Sequence, residues 1–237
     1  MGHKQAGTET SSYARECYGI IFFYRIGKTL SMQNRDNNII PENYTGKAVD
    51  IAHFRTEESV EKAIRVFSAI KSTFLRPGKW RSVAGKATAE FEIDSLLGKD
   101  GEIKEGDFIK IDIPGPGPSN GEGYDWVRAE KVLKNVIDGA DESVFIQLRA
   151  CPDPHTKGEE VAHFFSNEAT SSLILKREGQ KILASYHGRN ERPNTDSNKI
   201  ADTVRNAVVA AGAMIGLSEV QWEALIKGFV SDEVAGV

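Results

Sequence analysis

The residues of this sequence that are best suited to binding a ligand form two polar clusters, each next to an apolar run. The first cluster is Tyr124, Trp126 and Arg128, which alternate along the chain and share one face if the segment is a strand. Aromatic and guanidinium side chains often dominate the binding energy of an interface, and aromatic rings stack on sugars. The cluster predicts a ligand or partner surface, unless Trp126 is buried under the stem of Arg128.

The second cluster is His187, Arg189 and Arg192, which we expect to end the last strand and to begin the loop before a long helix. Arginines bind carboxylates and phosphates, histidine exchanges a proton near neutral pH, and a helix N-terminus offers free N–H groups. A charged, solvated connection that caps the helix would have the same composition. This cluster is the best candidate binding site.

Neither covalent nor metal-dependent catalysis is predicted. The chain contains no G-x-S-x-G or H-E-x-x-H pattern, and so it offers no recognisable nucleophile elbow or zinc helix. Four residues of the types that bind zinc lie close together, but their spacing is not a recurrent ligand pattern. They are Cys151, Asp153, His155 and His163. We predict no catalytic residue, no metal site and no cofactor.

Composition and charge narrow the class of protein. The 40% hydrophobic and 27% charged residues are ordinary globular usage. The net charge of −4 gives no basic footprint for nucleic acid or for an anionic membrane. Two cysteines are too few for a disulfide framework, and the apolar run Tyr18–Tyr24 is far shorter than the roughly 20 residues that span a bilayer. We expect a cytoplasmic protein without nucleic-acid or membrane partners.

The periodicity of apolar residues predicts the elements that position these clusters. A helix is expected from an N-cap at Thr56 to Phe74, where Pro77 and Gly78 follow. Alternation then predicts strands at residues 87–94, 109–113, 124–137, 144–150, 161–165, 171–177 and 182–187. The connections are too short for crossover helices, so the sheet should be antiparallel. The Pro/Gly-rich segment 114–123 is a long hairpin loop or a binding lip.

Helical periodicity returns near Ile200 and predicts a C-terminal αα-hairpin. Gly216 should end its first helix, and Ser218 with Gln221 forms the capping-box pattern of the second. We expect residues 39–237 to form one α+β domain with six or seven strands. Residues 1–38 are predicted to be a flexible tail that could hold a strand at 18–25, and Met32 is a candidate natural start.

The order of helix, long antiparallel run and C-terminal helices resembles the layout of START-like helix-grip proteins, in which one long terminal helix closes a cavity over a curved sheet. The chain also resembles uncharacterised bacterial proteins without an assigned activity. Two hypotheses follow. The first is a non-enzymatic binding or assembly module whose partner is an unknown small molecule or protein, and which could form a homo-oligomer. The alternative is a helix-grip carrier of a small or lipid-like ligand, or an enzyme, with a cavity between the sheet and the C-terminal helix.

Overall fold

An antiparallel sheet of seven strands is the centre of the fold. The computed structural model describes residues 39–85, 89–94, 101–113, 121–194 and 204–235, with backbone alone for 204–215, 217 and 235. Neighbouring strands follow the order β1-β7-β6-β5-β4-β3-β2, and every pair is antiparallel. The strands are β1 (Lys47–Thr56), β2 (Glu90–Asp94), β3 (Phe108–Asp112), β4 (Asp125–Lys134), β5 (Glu142–Ala150), β6 (Thr170–Glu178) and β7 (Lys181–Glu191).

The predicted α+β class and antiparallel sheet are confirmed, but two strand assignments are wrong. Strand β1 was not predicted because two of its positions on the helix side carry His53 and Arg55 instead of apolar residues. These side chains bond to the C-terminal helices: His53 contacts Glu223, and Arg55 donates to the carbonyl of Ser231. Residues 161–165 form no strand, and their one bridge pairs Phe165 with Pro193. The predicted strand at 18–25 lies outside the described residues.

Two helices follow β1. Helix α1 (Val60–Phe74) begins at the N-cap Ser59, whose side chain accepts from the N–H of Lys62 at 3.1 Å. The predicted N-cap at Thr56 is wrong, because Thr56 still pairs with β7. A 3₁₀ turn (Pro77–Lys79) then leads into the short helix α2 (Trp80–Ala84).

The C-terminal region is one long helix, α3 (Val204–Phe229), and a single turn, α4 (Asp232–Ala235). C-terminal helices are confirmed, but the predicted break at Gly216 and the αα-hairpin are wrong. Gly216 is exposed with open space around its Cα, so nothing forces the left-handed conformation that ends a helix. None of the described helices is both long and apolar enough to cross a membrane.

Helices α1, α2 and α3 cover one face of the sheet, called the inner face here. Phe67 and Trp80 from the helices meet Val127 and Leu173 from the strands in one continuous core. The indole N–H of Trp80 donates to the carbonyl of Phe74 at 3.1 Å, so this buried polar group is satisfied. The opposite, outer face carries the side chains that alternate with the inner ones, such as Asp50 and His187.

Two glycines of α3 give opposite predictions. A Cβ at Gly228 would lie 2.4 Å from the carbonyl oxygen of Val83, and this backbone atom of α2 cannot rotate away. We therefore expect Gly228→Ala to lower the free energy of unfolding by about 1–3 kcal/mol. Gly216→Ala on the same helix meets nothing within 4 Å and should raise it by up to about 1 kcal/mol. Urea unfolding of both variants checks this, and equal effects would contradict the close approach of α2 and α3.

Candidate functional site

A cavity of about 40 Å³ lies between the inner face and α3. This volume accommodates about two or three water molecules. Its polar lining residues are His163, Ser171, Ser218 and Gln221, and among the described lining residues none is Asp, Glu, Lys or Arg. The remainder is apolar: Ala84, Phe91, Ile111, Ile113, Val127, Leu148, Phe164, Phe165, Trp222 and Leu225.

His163 lies at the wall of this cavity and is 8% exposed. Its Nδ1 accepts a hydrogen bond from the N–H of Phe165 at 2.9 Å, so Nδ1 is the unprotonated ring nitrogen. Burial lowers the pKa of His163 to about 3, which leaves the imidazole neutral near pH 7. The proton of the neutral ring is therefore on Nε2.

Asp125, the first residue of β4, is 1% exposed and lies across from Ile111 on the inner face. Its Oδ1 accepts from the N–H of Phe164 at 2.8 Å. Burial raises the pKa of Asp125 to about 7, and the Phe164 hydrogen bond offsets this in part. Although Oδ1 lies 3.9 Å from Nδ1 of His163, the two groups are not an ion pair, because the imidazole is neutral and its Nδ1 carries no proton.

A buried chain of hydrogen bonds adjoins the cavity. The hydroxyl of Ser171 lies 3.2 Å from that of Tyr186, and Tyr186 donates to Oε1 of Glu191 at 2.9 Å. Burial raises the pKa of Tyr186 and also that of Glu191. Tyr186 has one hydroxyl proton and donates it to Glu191, so Ser171 is the donor of the 3.2 Å contact. The cavity wall thus presents oxygen lone pairs at Ser171.

The predicted cluster at His187 is on the outer face, away from the cavity. His187 and Arg189 belong to β7 itself, so the prediction that the strand ends near His187 and a loop follows is wrong. Antiparallel pairing with β1 extends β7 and places Asp50 opposite His187. Oδ1 of Asp50 is 2.6 Å from Nδ1 of His187 and 2.7 Å from the guanidinium of Arg189.

The charge of Asp50 is stabilised by this arrangement. Burial alone would raise the pKa of Asp50, but the hydrogen bonds from His187 and Arg189 outweigh it, so the pKa is lowered. Arg192 lies beyond the end of β7 with an exposed side chain, and its carbonyl accepts from the N–H of Ser166 at 2.9 Å. The structure therefore brings His187 and Arg189 together on β7 and around Asp50, whereas Arg192 is not part of this group.

The outer face also contains a serine next to this pair. Oγ of Ser185 lies 3.0 Å from Nε2 of His187, so serine, imidazole and the Asp50 carboxylate follow one another as in hydrolase triads. Ser185 is 3% exposed, and β7 pairs with a strand on each side, which engages the backbone N–H groups that could stabilise an oxyanion. The arrangement is consequently a hydrogen-bond network that joins β1 to β7.

The predicted cluster of Tyr124, Trp126 and Arg128 is at the other side of the outer face. Trp126 is buried beside Cys151 and Ala162, and Tyr124 packs against this small cluster. Arg128 lies over the ring of Phe108 at 5.8 Å. Two strands separate β4 from β7, which places this cluster roughly 14 Å from His187. Binding by either cluster stays a prediction.

The four residues of zinc-binding type are dispersed in the structure. Cys151 is buried, and burial raises the pKa of its thiol to about 12, so the thiolate that zinc requires is disfavoured. His155 contacts Asp94 at 2.7 Å, whereas His163 lies at the cavity. Within the described ranges, no three His, Cys, Asp or Glu side chains converge to hold a metal ion. Residues 114–120 of the Pro/Gly-rich segment lie outside these ranges.

Sequence reasoning missed the residues that converge at the cavity. The sequence pattern marks His163 only as a possible metal ligand and indicates no role for Ser171 or Tyr186. The run His163-Phe164-Phe165 was a usable signal, because a histidine inside an aromatic run is expected to be buried and neutral. No local spacing could reveal Ser171 and Tyr186, which meet through the pairing of β6 with β7.

Comparisons with solved structures return likenesses of low similarity. A hypothetical protein from Helicobacter pylori is similar at TM-score 0.44 and 12% identity, covering 77% of this chain and 87% of that one. An uncharacterised protein from Rhizobium leguminosarum has TM-score 0.33 at 10% identity, covering 78% and 95%. Major latex-like protein 151 from Panax ginseng has TM-score 0.32 at 13% identity, covering 73% and 99%. No model of a protein family matches the chain, and no curated protein matches it.

Proposed function

We propose that the protein binds a small, largely apolar molecule between the inner face and α3, and that it acts as a carrier or binding protein. The observation that supports this proposal is the cavity itself, in which apolar side chains surround a few polar groups. Ligand sites commonly have this composition. Leu225 and Trp222 of α3 form one wall, and Ile111 and Val127 of the sheet form the opposite wall.

The size of the cavity limits how a ligand can enter. Ligand sites usually have volumes of about 300–1,000 Å³, and the cavity of about 40 Å³ is too small to admit a drug-sized molecule. Entry must therefore displace part of the wall. The residues 163–165 are the best candidates, because this segment is held by isolated bonds such as Phe164 N–H to Asp125 and not by a sheet ladder. We infer that binding is coupled to a movement of this segment or of α3.

Titration of the full chain with toluene, followed by the NMR shifts of Leu225 and Ile111, tests the proposal. We expect saturable shifts at both residues. Ala84→Leu fills the cavity from α2 and should weaken binding about tenfold or more, which corresponds to 1.4 kcal/mol. Ala52→Leu places the same extra volume at an exposed position of the outer face and should leave the affinity unchanged.

Native mass spectrometry of the gently purified full chain provides an independent measurement. A retained small molecule that Ala84→Leu removes would support the proposal. Toluene shifts that are linear, or equal in the two leucine variants, would contradict binding in the cavity and return the assembly hypothesis to first place.

A further inference from the structure

We infer that the ligand is electrically neutral and carries a hydrogen-bond acceptor of the carbonyl type, which the Nε2–H of His163 binds. This inference rests on the proposed function and deepens it, because it names the chemical class of the ligand. The cavity wall supplies three observations that carry it: an N–H without a partner, the absence of charged groups from the described lining, and lone pairs at Ser171.

The hydrogen-bond donor at the cavity wall is the imidazole of His163. The Phe165 N–H bond to Nδ1 fixes the tautomer, so His163 has one N–H to give, and it is on Nε2. No described residue accepts a hydrogen bond from this N–H, and the side chain of His163 is only 8% exposed. Nε2 is not among the fully buried polar atoms that lack a partner in the described residues, so this N–H is open to a small molecule or to water. A ligand acceptor that replaces such a water keeps this hydrogen bond.

The lining of the cavity disfavours a charged ligand. A carboxylate or ammonium group of a ligand would leave water for a cavity whose described lining holds no Asp, Glu, Lys or Arg. Without an opposite charge, that transfer is strongly unfavourable. The imidazole of His163 is neutral and offers a dipole in place of a charge, which suits a ketone, aldehyde, ester or amide oxygen better than an anion.

Ser171 is a second polar position on the cavity wall. Ser171 gives its proton to Tyr186, so its oxygen can accept but has no proton left to donate. A ligand hydroxyl could therefore be accommodated at Ser171, whereas a second carbonyl there would face lone pairs. The wall thus selects a neutral apolar molecule with an acceptor at one position and, at most, a donor at the other.

Three compounds of similar shape test the inference: acetophenone with a carbonyl, α-methylstyrene with a methylene in its place, and benzoate with a charge. We expect the full wild-type chain to bind the first two, and to bind benzoate at least about tenfold more weakly. His163→Phe should weaken acetophenone about tenfold and change α-methylstyrene less than about twofold. His155→Phe, which removes an imidazole that does not line the cavity, should leave the ratio of the two affinities unchanged.

A measurement on the wild-type chain avoids dependence on the variant. Acetophenone should move the Nε2–H proton and ¹⁵N resonances of His163, and α-methylstyrene should not. Three results would overturn the inference: an unchanged ratio of the two affinities in His163→Phe, tight binding of benzoate, or an Nε2 resonance that does not respond to acetophenone. In each case, binding of α-methylstyrene would still support the proposed function. Failure of both acetophenone and α-methylstyrene to bind would overturn the two together.

Discussion

Leu225→Ala is expected to destabilise the protein and, at the same time, to tighten its binding of toluene. Leu225 is 2% exposed, belongs to the continuous core and lines the cavity. Truncating a buried leucine lowers the free energy of unfolding by about 2–5 kcal/mol and leaves an enlarged apolar cavity. Such cavities bind small aromatic molecules. Urea unfolding measures the first effect, and NMR titration measures the second.

Leu75→Ala is the matched control. Leu75 is 3% exposed and packs in the same core, but it does not line the cavity. Because the chemistry and the burial are alike, we expect a similar loss of stability with no gain in toluene affinity. If Leu225→Ala weakens toluene binding, or if both variants change it equally, the ligand does not occupy the space between Leu225 and the sheet.

The elements of the fold were predictable wherever one face of a segment is apolar. Alternation in β2 and β3 and the helical stripe of Trp222, Leu225 and Phe229 reflect burial on one side, and periodicity records burial directly. The prediction failed at β1, where inward positions are polar because His53 and Arg55 bond to the C-terminal helices. A pattern of hydrophobicity cannot show that a polar residue faces inward with a partner.

The candidate site was less predictable than the fold. His163, Ser171 and Trp222 come from a loop, a strand and a helix, and tertiary packing alone places them around one cavity. The tautomer of His163 depends on one backbone N–H, and the direction of the Ser171–Tyr186 bond depends on Glu191. These properties are consequences of three-dimensional contacts, so residue spacing contains no record of them. Conversely, His187 and Arg189 stood out in the sequence through residue type, yet they pair with Asp50 on the outer face.

The pH dependence of stability should change sharply in Asp125→Asn. The pKa of Asp125 is raised from 3.8 to about 7, chiefly by burial, so between these values the folded chain binds more protons than the unfolded chain. Stability therefore falls as pH rises through this window, by on the order of 4 kcal/mol. Asparagine keeps the oxygen that accepts from Phe164 N–H and has no charge to bury. The variant should match the wild type near pH 4 and exceed it by that amount at pH 8.

His163 opposes Asp125 in the same pH range. Its pKa is lowered from 6.5 to about 3 by burial, so the unfolded chain binds more protons and stability rises as pH increases between these values. The contributions of Asp125 and His163 to the pH dependence of stability largely cancel in the wild type between about pH 4 and 6.5. In Asp125→Asn the contribution of His163 remains, so the stability of this variant should rise steeply as the pH increases through this range. Urea unfolding at pH 4, 5.5, 7 and 8 measures this. A stability difference between Asp125→Asn and the wild type that is constant over pH would contradict the prediction, because it would mean that Asp125 is ionised throughout. Asp125→Ala is the control: it leaves the Phe164 N–H unpaired and should be less stable than Asp125→Asn at every pH.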